Sequence, residues 1–250
     1  MRETVTIQTQ DGVCPATLLR PEGAGAFALP GVIFYMDGFG IRPPLVDMAD
    51  RLASLGYAVL LPDLYYRLGP YAPLHPKAMF ATPGFREVLA PMMASTSNAR
   101  AAADTSAFLS FLDSRADVSS ATIGTTGYCM GGGNSLTVAG TYPNRISAAA
   151  SFHGGNLATD SPESPHLVAS KIQANVYVAG ADQDASYPPE MASRLETALR
   201  VAGVPHCCEI YAGALHGWTM TDFPVYNEPA AERHWRNLAR LFSERLKPAA

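Results

Sequence analysis

The residues TIGTTGYCMGGG (122–133) join an apolar, strand-like run to a glycine-rich run that is typical of the start of a helix. Between the two lies the pattern Gly-x-Cys-x-Gly, in which Gly127 and Gly131 flank Cys129. A strand that turns this tightly into a helix strains the central residue and leaves no room for bulk beside it. The pattern therefore predicts a nucleophile elbow that holds the Cys129 thiol at the edge of a sheet.

The predicted position of Cys129 favours a reactive thiolate. The thiol would lie above the N-terminus of the following helix, where the helix dipole stabilises negative charge. The backbone N–H of Met130 would point to the place where an oxyanion forms. The alternative interpretation is a buried, unreactive cysteine on a glycine-rich turn.

A nucleophile elbow needs an acid and then a histidine later in the chain, and both follow in that order. Asp182 and Asp184 come after one strand-like run, and His216 comes after the next. We expect these side chains at the same sheet edge as the thiol, where His216 would accept and return a proton. The spacing alone does not choose between the two aspartates.

The other five histidines are interpreted as packing or surface residues. Of these, only His153, which follows a strand-like run, is a candidate to face the pocket; the others are His75, His166, His206 and His234.

Strand-like and helical patterns alternate along the chain. Short apolar runs bounded by Gly or Pro predict strands, most of them buried on both faces, at 5–8, 16–20, 31–35, 57–61, 122–126, 146–152, 176–179 and 207–211. Helical patterns occur at 44–55, 99–112, 132–141, 189–201 and 230–246. This alternation predicts an α/β fold with a mostly parallel, doubly wound sheet of about eight strands, antiparallel at its N-terminal end.

The chain is interpreted as one domain over 1–250, with two irregular stretches. Segment 62–97 contains six prolines and several aromatic residues with little periodicity. Because it follows a strand end, where open α/β sheets bind ligands, we expect it to form a pocket wall or lid. The Gly- and Ala-rich stretch 21–28 is interpreted as a surface turn.

The composition excludes several classes of protein. The 250 residues are 48% hydrophobic and 16% charged, which argues against a disordered chain. No apolar run approaches the length of a membrane helix, and no signal peptide is visible, so we expect a cytoplasmic protein. The net charge of −4 gives no indication of nucleic-acid binding. Four cysteines without metal-ligand spacing, and no nucleotide-binding motif, predict neither a metal nor a cofactor.

Taken together, residues 30–242 resemble the dienelactone hydrolase family of the α/β-hydrolase superfamily. The segments that carry the resemblance are MDGFG (36–40), PDLYYR (62–67), GYCMGG (127–132), DASYP (184–188) and ALHG (214–217). The resemblance implies a Cys129, His216 and Asp184 triad, because the family has a proline four residues after the catalytic aspartate, as Pro188 follows Asp184.

The resemblance also implies further site residues. The Gly38 amide would be the second oxyanion donor beside that of Met130, and Asp37 would lie near the cysteine and modulate its ionisation. The family binds a substrate carboxylate with two arginines, but one of these positions is Met220 here, and the other corresponds to Arg86 only through a loose alignment. Further candidate pocket residues are Phe39, Tyr65, Arg67 and Trp218.

These observations predict an enzyme that cleaves an ester or enol-lactone through a thioester acyl-enzyme. One alternative is a broad carboxylesterase or thioesterase, and another is a non-catalytic small-molecule binding or thiol redox-sensing protein on the same fold. The expected partner is a small ester or lactone substrate, with no nucleic acid or membrane, and the expected state is a monomer or a weak homodimer.

Overall fold

A computed structural model describes residues 1–23 and 28–246 of the protein. Its described residues form an eight-stranded sheet in the order β1-β2-β4-β3-β5-β6-β7-β8, in which β3 to β8 run parallel and β2 runs antiparallel to both of its neighbours, β1 and β4. The strands are β1 (Arg2–Thr9), β2 (Gly12–Leu19), β3 (Leu29–Tyr35), β4 (Ala58–Pro62), β5 (Val118–Tyr128), β6 (Ile146–Phe152), β7 (Asn175–Ala181) and β8 (His206–Tyr211). The predicted fold class and the N-terminal antiparallel pair are confirmed.

Helices cover both faces of the sheet. They are α1 (Pro43–Ser54), α2 (Pro76–Phe80), α3 (Phe85–Ala94), α4 (Asn98–Asp113), α5 (Met130–Thr141), α6 (Pro189–Val201) and α7 (Glu228–Arg245). Two neighbours in β3 show the two faces, because successive side chains of a strand point in opposite directions. The Tyr35 hydroxyl bonds Thr105 of α4, whereas Phe34 stacks on Tyr128, whose hydroxyl bonds His234 of α7.

The parallel strands at the centre of the sheet carry the core. Every residue of β4, and all but one residue in each of β3, β6 and β7, is buried. A strand that is covered by helices on both faces must be apolar along its whole length. This is why these strands appear in the sequence as continuous apolar runs rather than as alternating ones.

Segment 62–97 contains structure that the sequence pattern missed. It forms a short 3₁₀ turn (Tyr66–Leu68) and the helices α2 and α3. α2 has only five residues, and α3 contains Pro91 in its interior, so neither shows the periodicity of a long amphipathic helix.

Two further expectations concern the surface turn near the N-terminus and membrane-spanning helices. Of the surface turn expected at 21–28, residues 24–27 lie outside the described residues. Across residues 1–23 and 28–246, no helix is long and apolar enough to cross a membrane.

The turn between β5 and α5 is possible only because glycines flank it. A Cβ atom on Gly127 would lie 1.8 Å from the carbonyl oxygen of Gly131, and one on Gly131 would lie 2.3 Å from the carbonyl oxygen of Tyr35. Real Cβ atoms are essentially never found so close to another atom, and backbone cannot move aside as a side chain can. The elbow is thus packed directly against the end of β3.

We expect Gly131→Ala to lower the free energy of unfolding by more than about 4 kcal/mol or to prevent folding, because the new Cβ meets main chain. The matched control is Gly203→Ala, at a φ of +71° with nothing within 4 Å of the added Cβ. This change costs only the strain of a left-handed alanine, about 1 kcal/mol. Urea unfolding followed by circular dichroism measures both, and equal losses would contradict the packing argument.

Candidate active site

Cys129 lies at the junction of β5 and α5 in a strained backbone conformation. Its φ is 53° and its ψ is −116°, which residues other than glycine rarely adopt. Such strain costs about 1–3 kcal/mol and persists only where the surroundings enforce it. Here the Cys129 amide donates to the Phe152 carbonyl at 3.1 Å, and the Cys129 carbonyl accepts from the Gly132 amide at 3.1 Å. Both bonds hold the residue at the carboxyl edge of the sheet.

The loops after β7 and β8 bring an aspartate and a histidine to the same edge. His216 Nδ1 lies 2.6 Å from Asp184 Oδ2, and the other carboxylate oxygen accepts from the backbone amide and the hydroxyl of Ser186 at 2.8 and 2.6 Å. Burial raises the pKa of Asp184, but the bonds from His216 and Ser186 outweigh it and hold that pKa below its usual range. Asp184 is therefore a charged, fixed partner of the imidazole.

Asp182 has a different place in these loops. Its carboxylate accepts from the Gly213 amide at 2.8 Å, and its own amide donates to the Ala214 carbonyl at 2.8 Å. It ties the loop after β7 to the loop that carries His216 but makes no bond to the imidazole. Of the two aspartates that the spacing left open, the structure places Asp184 on the histidine.

A negative charge on Cys129 raises the pKa of His216. Burial lowers the pKa of this imidazole, but the Cys129 thiolate and the hydrogen bond to Asp184 more than compensate, raising the pKa to about 10. A negative charge on the sulfur and the Asp184 carboxylate therefore both favour the imidazolium form of His216. The arrangement can supply a proton on one side and a nucleophile on the other.

Cys129, Met130, Ser186 and His216 line a common cavity of about 380 Å³. This is enough space for a small ligand. Segment 62–97 adds Met93 and nearby residues to its wall. A larger cavity of about 640 Å³ lies between α6 and β8, but neither Cys129 nor His216 borders it, so the smaller cavity is the candidate active site.

The loop after β3 approaches the elbow from the other side. β3 pairs with β5 in parallel, so Gly38 follows a strand end beside the nucleophile. The Gly38 carbonyl accepts from the Tyr65 hydroxyl at 2.9 Å, and the same hydroxyl lies 4.0 Å from the Met130 sulfur. Met130 begins α5, so its amide is one of the N–H groups that the helix itself does not pair. The two candidate oxyanion donors are thus the Gly38 amide, in the loop after β3, and the Met130 amide, at the start of α5.

A model of the dienelactone hydrolase family matches residues 14–246. The chain belongs to the dienelactone hydrolase family. A Synechocystis sp. protein named as a carboxymethylenebutenolidase is 28% identical over 97% of this chain and 96% of its own length. A relative of the same name from Escherichia coli K12 is 28% identical over 96% of this chain and 85% of its own length. These matches confirm the expected family and enzyme class, a hydrolase of carboxylic ester bonds.

The comparison of structures agrees with this membership. A crystal structure of a protein named as a dienelactone hydrolase from Klebsiella pneumoniae superposes with a TM-score of 0.83 and 26% identity. It covers 97% of this chain and 98% of the other. The α/β-hydrolase fold that the resemblance implied is therefore confirmed over nearly the whole chain.

Asp37, which was expected to lie near the cysteine and to modulate it, forms a buried ion pair with Arg42. Its carboxylate is fully buried and bidentate with Arg42, at 2.7 and 2.8 Å, and it also accepts from the Phe39 amide. Arg42 bonds Asp222 as well, at 2.6 Å. Arg42 bonds both oxygens of Asp37, and Asp37 is not among the residues that line the cavity.

Other residues expected to bind substrate also lie elsewhere. The Arg67 guanidinium forms ion pairs with Asp104 and Asp11. Arg86 is an exposed residue of α3 whose guanidinium lies 6.0 Å from the ring of Phe85. Neither arginine is among the residues that line the cavity.

The aromatic candidates are packing residues. Phe39 packs edge-on against Phe223 and tilted against Phe80, and Tyr65 is buried beneath the Gly38 loop. Trp218 is fully buried and stacks on Tyr211. None of the three borders the cavity, because their rings fill the space that holds the surrounding loops together.

His153 lies behind the site rather than in its pocket. It is fully buried, its Nε2 lies 2.8 Å from the Thr219 hydroxyl, and its ring packs edge-on against His216 at 5.2 Å. Burial and the neighbouring His216 lower its pKa well below the usual value, so it stays neutral. It supports the ring of His216 from behind.

Sequence reasoning missed three polar features of the site. Ser186 holds the free oxygen of Asp184, and Asn134 and Thr96 contribute to the cavity wall with buried polar atoms that have no partner among the described residues. Leaving such a group unpaired costs about 1–3 kcal/mol. Only Ser186 had a local signal, since a side chain two residues after an aspartate is well placed to bond it.

We expect Asp184→Asn to lower the pKa of His216 by at least about one pH unit, because the carboxylate that stabilises the imidazolium is removed. The matched control Asp182→Asn removes the same charge two residues away, where the carboxylate bonds the Gly213 amide, and leaves that pKa nearly unchanged. NMR titration of the His216 ring measures both. An equal fall in the two variants would show that His216 senses only the general field of the loop.

We expect Arg42→Met to destabilise the protein by about 3–5 kcal/mol, because it leaves the buried Asp37 carboxylate without its counter-ion. The control is Arg194→Met, whose partner Asp160 is 95% exposed, so that its loss costs less than about 1 kcal/mol. Chemical unfolding of both variants decides the matter. A loss at Arg42 no larger than at Arg194 would contradict a buried charge at Asp37.

Proposed function

We propose that this family member hydrolyses a carboxylic ester or enol-lactone through Cys129 as nucleophile, His216 as acid and base, and Asp184 as the partner of the imidazole. The observation that carries the proposal is the 2.6 Å bond from Asp184 to His216, which lines the same cavity as the strained cysteine. Relatives named as carboxymethylenebutenolidases support a lactone substrate.

In the first half of the proposed reaction, the Cys129 thiolate attacks the carbonyl carbon and forms a carbon–sulfur bond. The carbonyl electron pair moves to oxygen, where the Gly38 and Met130 amides donate to the oxyanion. The carbon–oxygen bond then breaks as the carbonyl re-forms. His216 gives its proton to the departing oxygen, which leaves a thioester on the enzyme.

The second half follows from the charge coupling between cysteine and histidine. The thioester carries no negative charge, so the interaction that raised the pKa of His216 is lost on acylation. The imidazole has given up its proton and now binds the next one less strongly. It accepts a proton from water, and the resulting hydroxide attacks the thioester carbonyl. The carbon–sulfur bond then breaks, which releases the carboxylic acid and the Cys129 thiolate, and the proton that stays on His216 restores the ion pair. Asp184 keeps the imidazole in one tautomer throughout.

The identity of the nucleophile limits the leaving group. In the tetrahedral intermediate the weaker base departs first, and an ordinary thiol has a pKa of about 8.5, far below that of an alkyl alcohol. Thiolate would therefore be expelled in preference to an alkoxide or amide, and the intermediate would collapse backwards. Enolates and phenolates are closer to thiolate in basicity, so enol-lactones and aryl esters are the expected substrates, and peptides are not.

A broad carboxylesterase is the second candidate, and one observation favours it. Neither Arg86 nor Met220, the positions that correspond to the carboxylate-binding arginines of the family, presents a cation to the cavity; Met220 is fully buried. We propose that segment 62–97 forms one wall of this site in either case, through Met93, Thr96 and Ser97. Relative rates on a dienelactone and on short p-nitrophenyl esters separate the two candidates.

We expect one equivalent of iodoacetamide at neutral pH to alkylate Cys129 first and to abolish hydrolysis of both p-nitrophenyl acetate and a dienelactone. Burial raises the pKa of Cys14 and of Cys208 to about 12, and it also raises that of Cys207, so these thiols are less ionised. Mass spectrometry of the labelled peptide, with the rates measured in parallel, tests this.

Two variants complete the experiment. Cys129→Ala should lose at least about 10³-fold in turnover while unfolding at the same denaturant concentration as the wild type. Cys207→Ala, on the exposed side of β8, should retain both activity and sensitivity to iodoacetamide. Activity that survives in Cys129→Ala would make the cysteine structural and would favour a different catalytic group.

A further inference from the structure

We propose that the cavity beside Cys129 selects an uncharged substrate whose polar group both donates and accepts hydrogen bonds, such as a hydroxyl or a primary carboxamide. Asn134 and Thr96 would bind this group. The inference rests on the proposed esterase or lactonase function and specifies its substrate class.

The charges around the cavity argue against a carboxylate. Among the described residues that line it, none is Lys or Arg, and one, Glu163, carries a carboxylate. The nearby Arg100 uses its guanidinium on the carbonyls of Ala94 and Ser95 and does not border the cavity. A carboxylate that enters loses its hydration and meets a like charge, and the one histidine of the lining, His216, is already paired with Asp184.

The unpaired polar groups of the wall point to what does bind. Asn134 is 1% exposed and Thr96 is 6% exposed, yet both amide atoms of Asn134 and the hydroxyl of Thr96 have no hydrogen-bond partner among the described residues. Buried polar groups in proteins are nearly always paired, so unpaired ones at a cavity are a reason to look for a ligand. Asn134 lies one turn after Met130 in α5, on the same face of the helix.

The chemistry of an amide side chain defines the complementary group. Asn134 presents an NH₂ donor and a carbonyl acceptor side by side, and Thr96 can act as either. A hydroxyl or a primary carboxamide satisfies both ends of the asparagine. A carboxylate has acceptors only, so it would leave the Asn134 oxygen facing negative charge. The same arrangement explains why no arginine is needed at this site.

The test compares three enol-lactones that share one ring. One carries the carboxylate of a dienelactone, the second its primary carboxamide, and the third the N,N-dimethylamide, which cannot donate. We expect kcat/KM for the primary carboxamide to exceed that for each of the other two by about tenfold or more. A carboxylate that is hydrolysed as fast as the primary carboxamide, or faster, overturns the proposal.

Two substitutions assign the preference to the wall. In Asn134→Leu the ratio of primary carboxamide to N,N-dimethylamide should fall towards one, whereas in Asn144→Leu, an exposed asparagine beyond the far end of α5, the ratio should stay as in the wild type. In Met93→Arg the added cation should raise the rate on the carboxylate about tenfold relative to Met93→Gln. Met93 is 40% exposed, so that this site accepts a long polar side chain.

The outcomes separate this inference from the proposed function. If Asn134→Leu lowers the rates on all three lactones equally, the asparagine only supports the fold, and the inference is wrong while the esterase function stands. If Asn134→Leu does not fold, the Met93→Arg pair still decides, since an unchanged carboxylate rate would contradict the charge argument. If no lactone and no aryl ester is hydrolysed in a thiol-dependent way, the proposed function itself fails.

Discussion

The backbone of Cys129 is the constraint on which the rest of the site depends. A φ of 53° at a residue with a side chain is maintained because β5 and α5 are joined with no intervening loop, and Gly127 and Gly131 let the main chain of three elements meet. This contact fixes the end of β3 against the start of α5. It therefore sets the positions of the thiol and of the Met130 amide, and it brings the Gly38 loop next to them.

The parallel sheet places the remaining groups. In parallel strands all the carboxyl ends lie at one edge, so the elbow after β5 and the loops after β3, β7 and β8 meet there although they are far apart in the chain. His216 lies between the thiolate and the Asp184 carboxylate, and its high pKa is a consequence of that position rather than of its own burial, which acts in the opposite direction. In the proposed reaction, acylation removes the negative charge of the thiolate. The pKa of His216 then falls, so that the imidazole is neutral at the step where a base is needed.

The residues around this core have structural roles of their own. Arg42 holds Asp37 and Asp222 in a buried ion-pair cluster, packed against the rings of Phe39 and Phe223, so the charges in the Gly38 loop serve its shape. The cavity itself has a wall of short hydroxyl and amide side chains. A scaffold of this kind can keep one set of reacting groups while the groups lining the cavity change the preferred substrate.

The sequence by itself determined the architecture, because all eight strands are runs whose apolar pattern is local, and because the elbow glycines, the acids and His216 occur in an order that only one kind of site uses. The sequence pattern did not predict the two short helices of segment 62–97. The five residues of α2 and the internal proline of α3 leave no periodicity to detect. Only the tertiary structure decided which charged residues are free. Arg67 pairs with Asp104 across 37 positions, and Arg42 pairs with Asp222 across 180. A side chain's charge is visible in the sequence, but its partner is chosen by folding, so roles that depend on an unpaired charge could not be assigned from the residues alone.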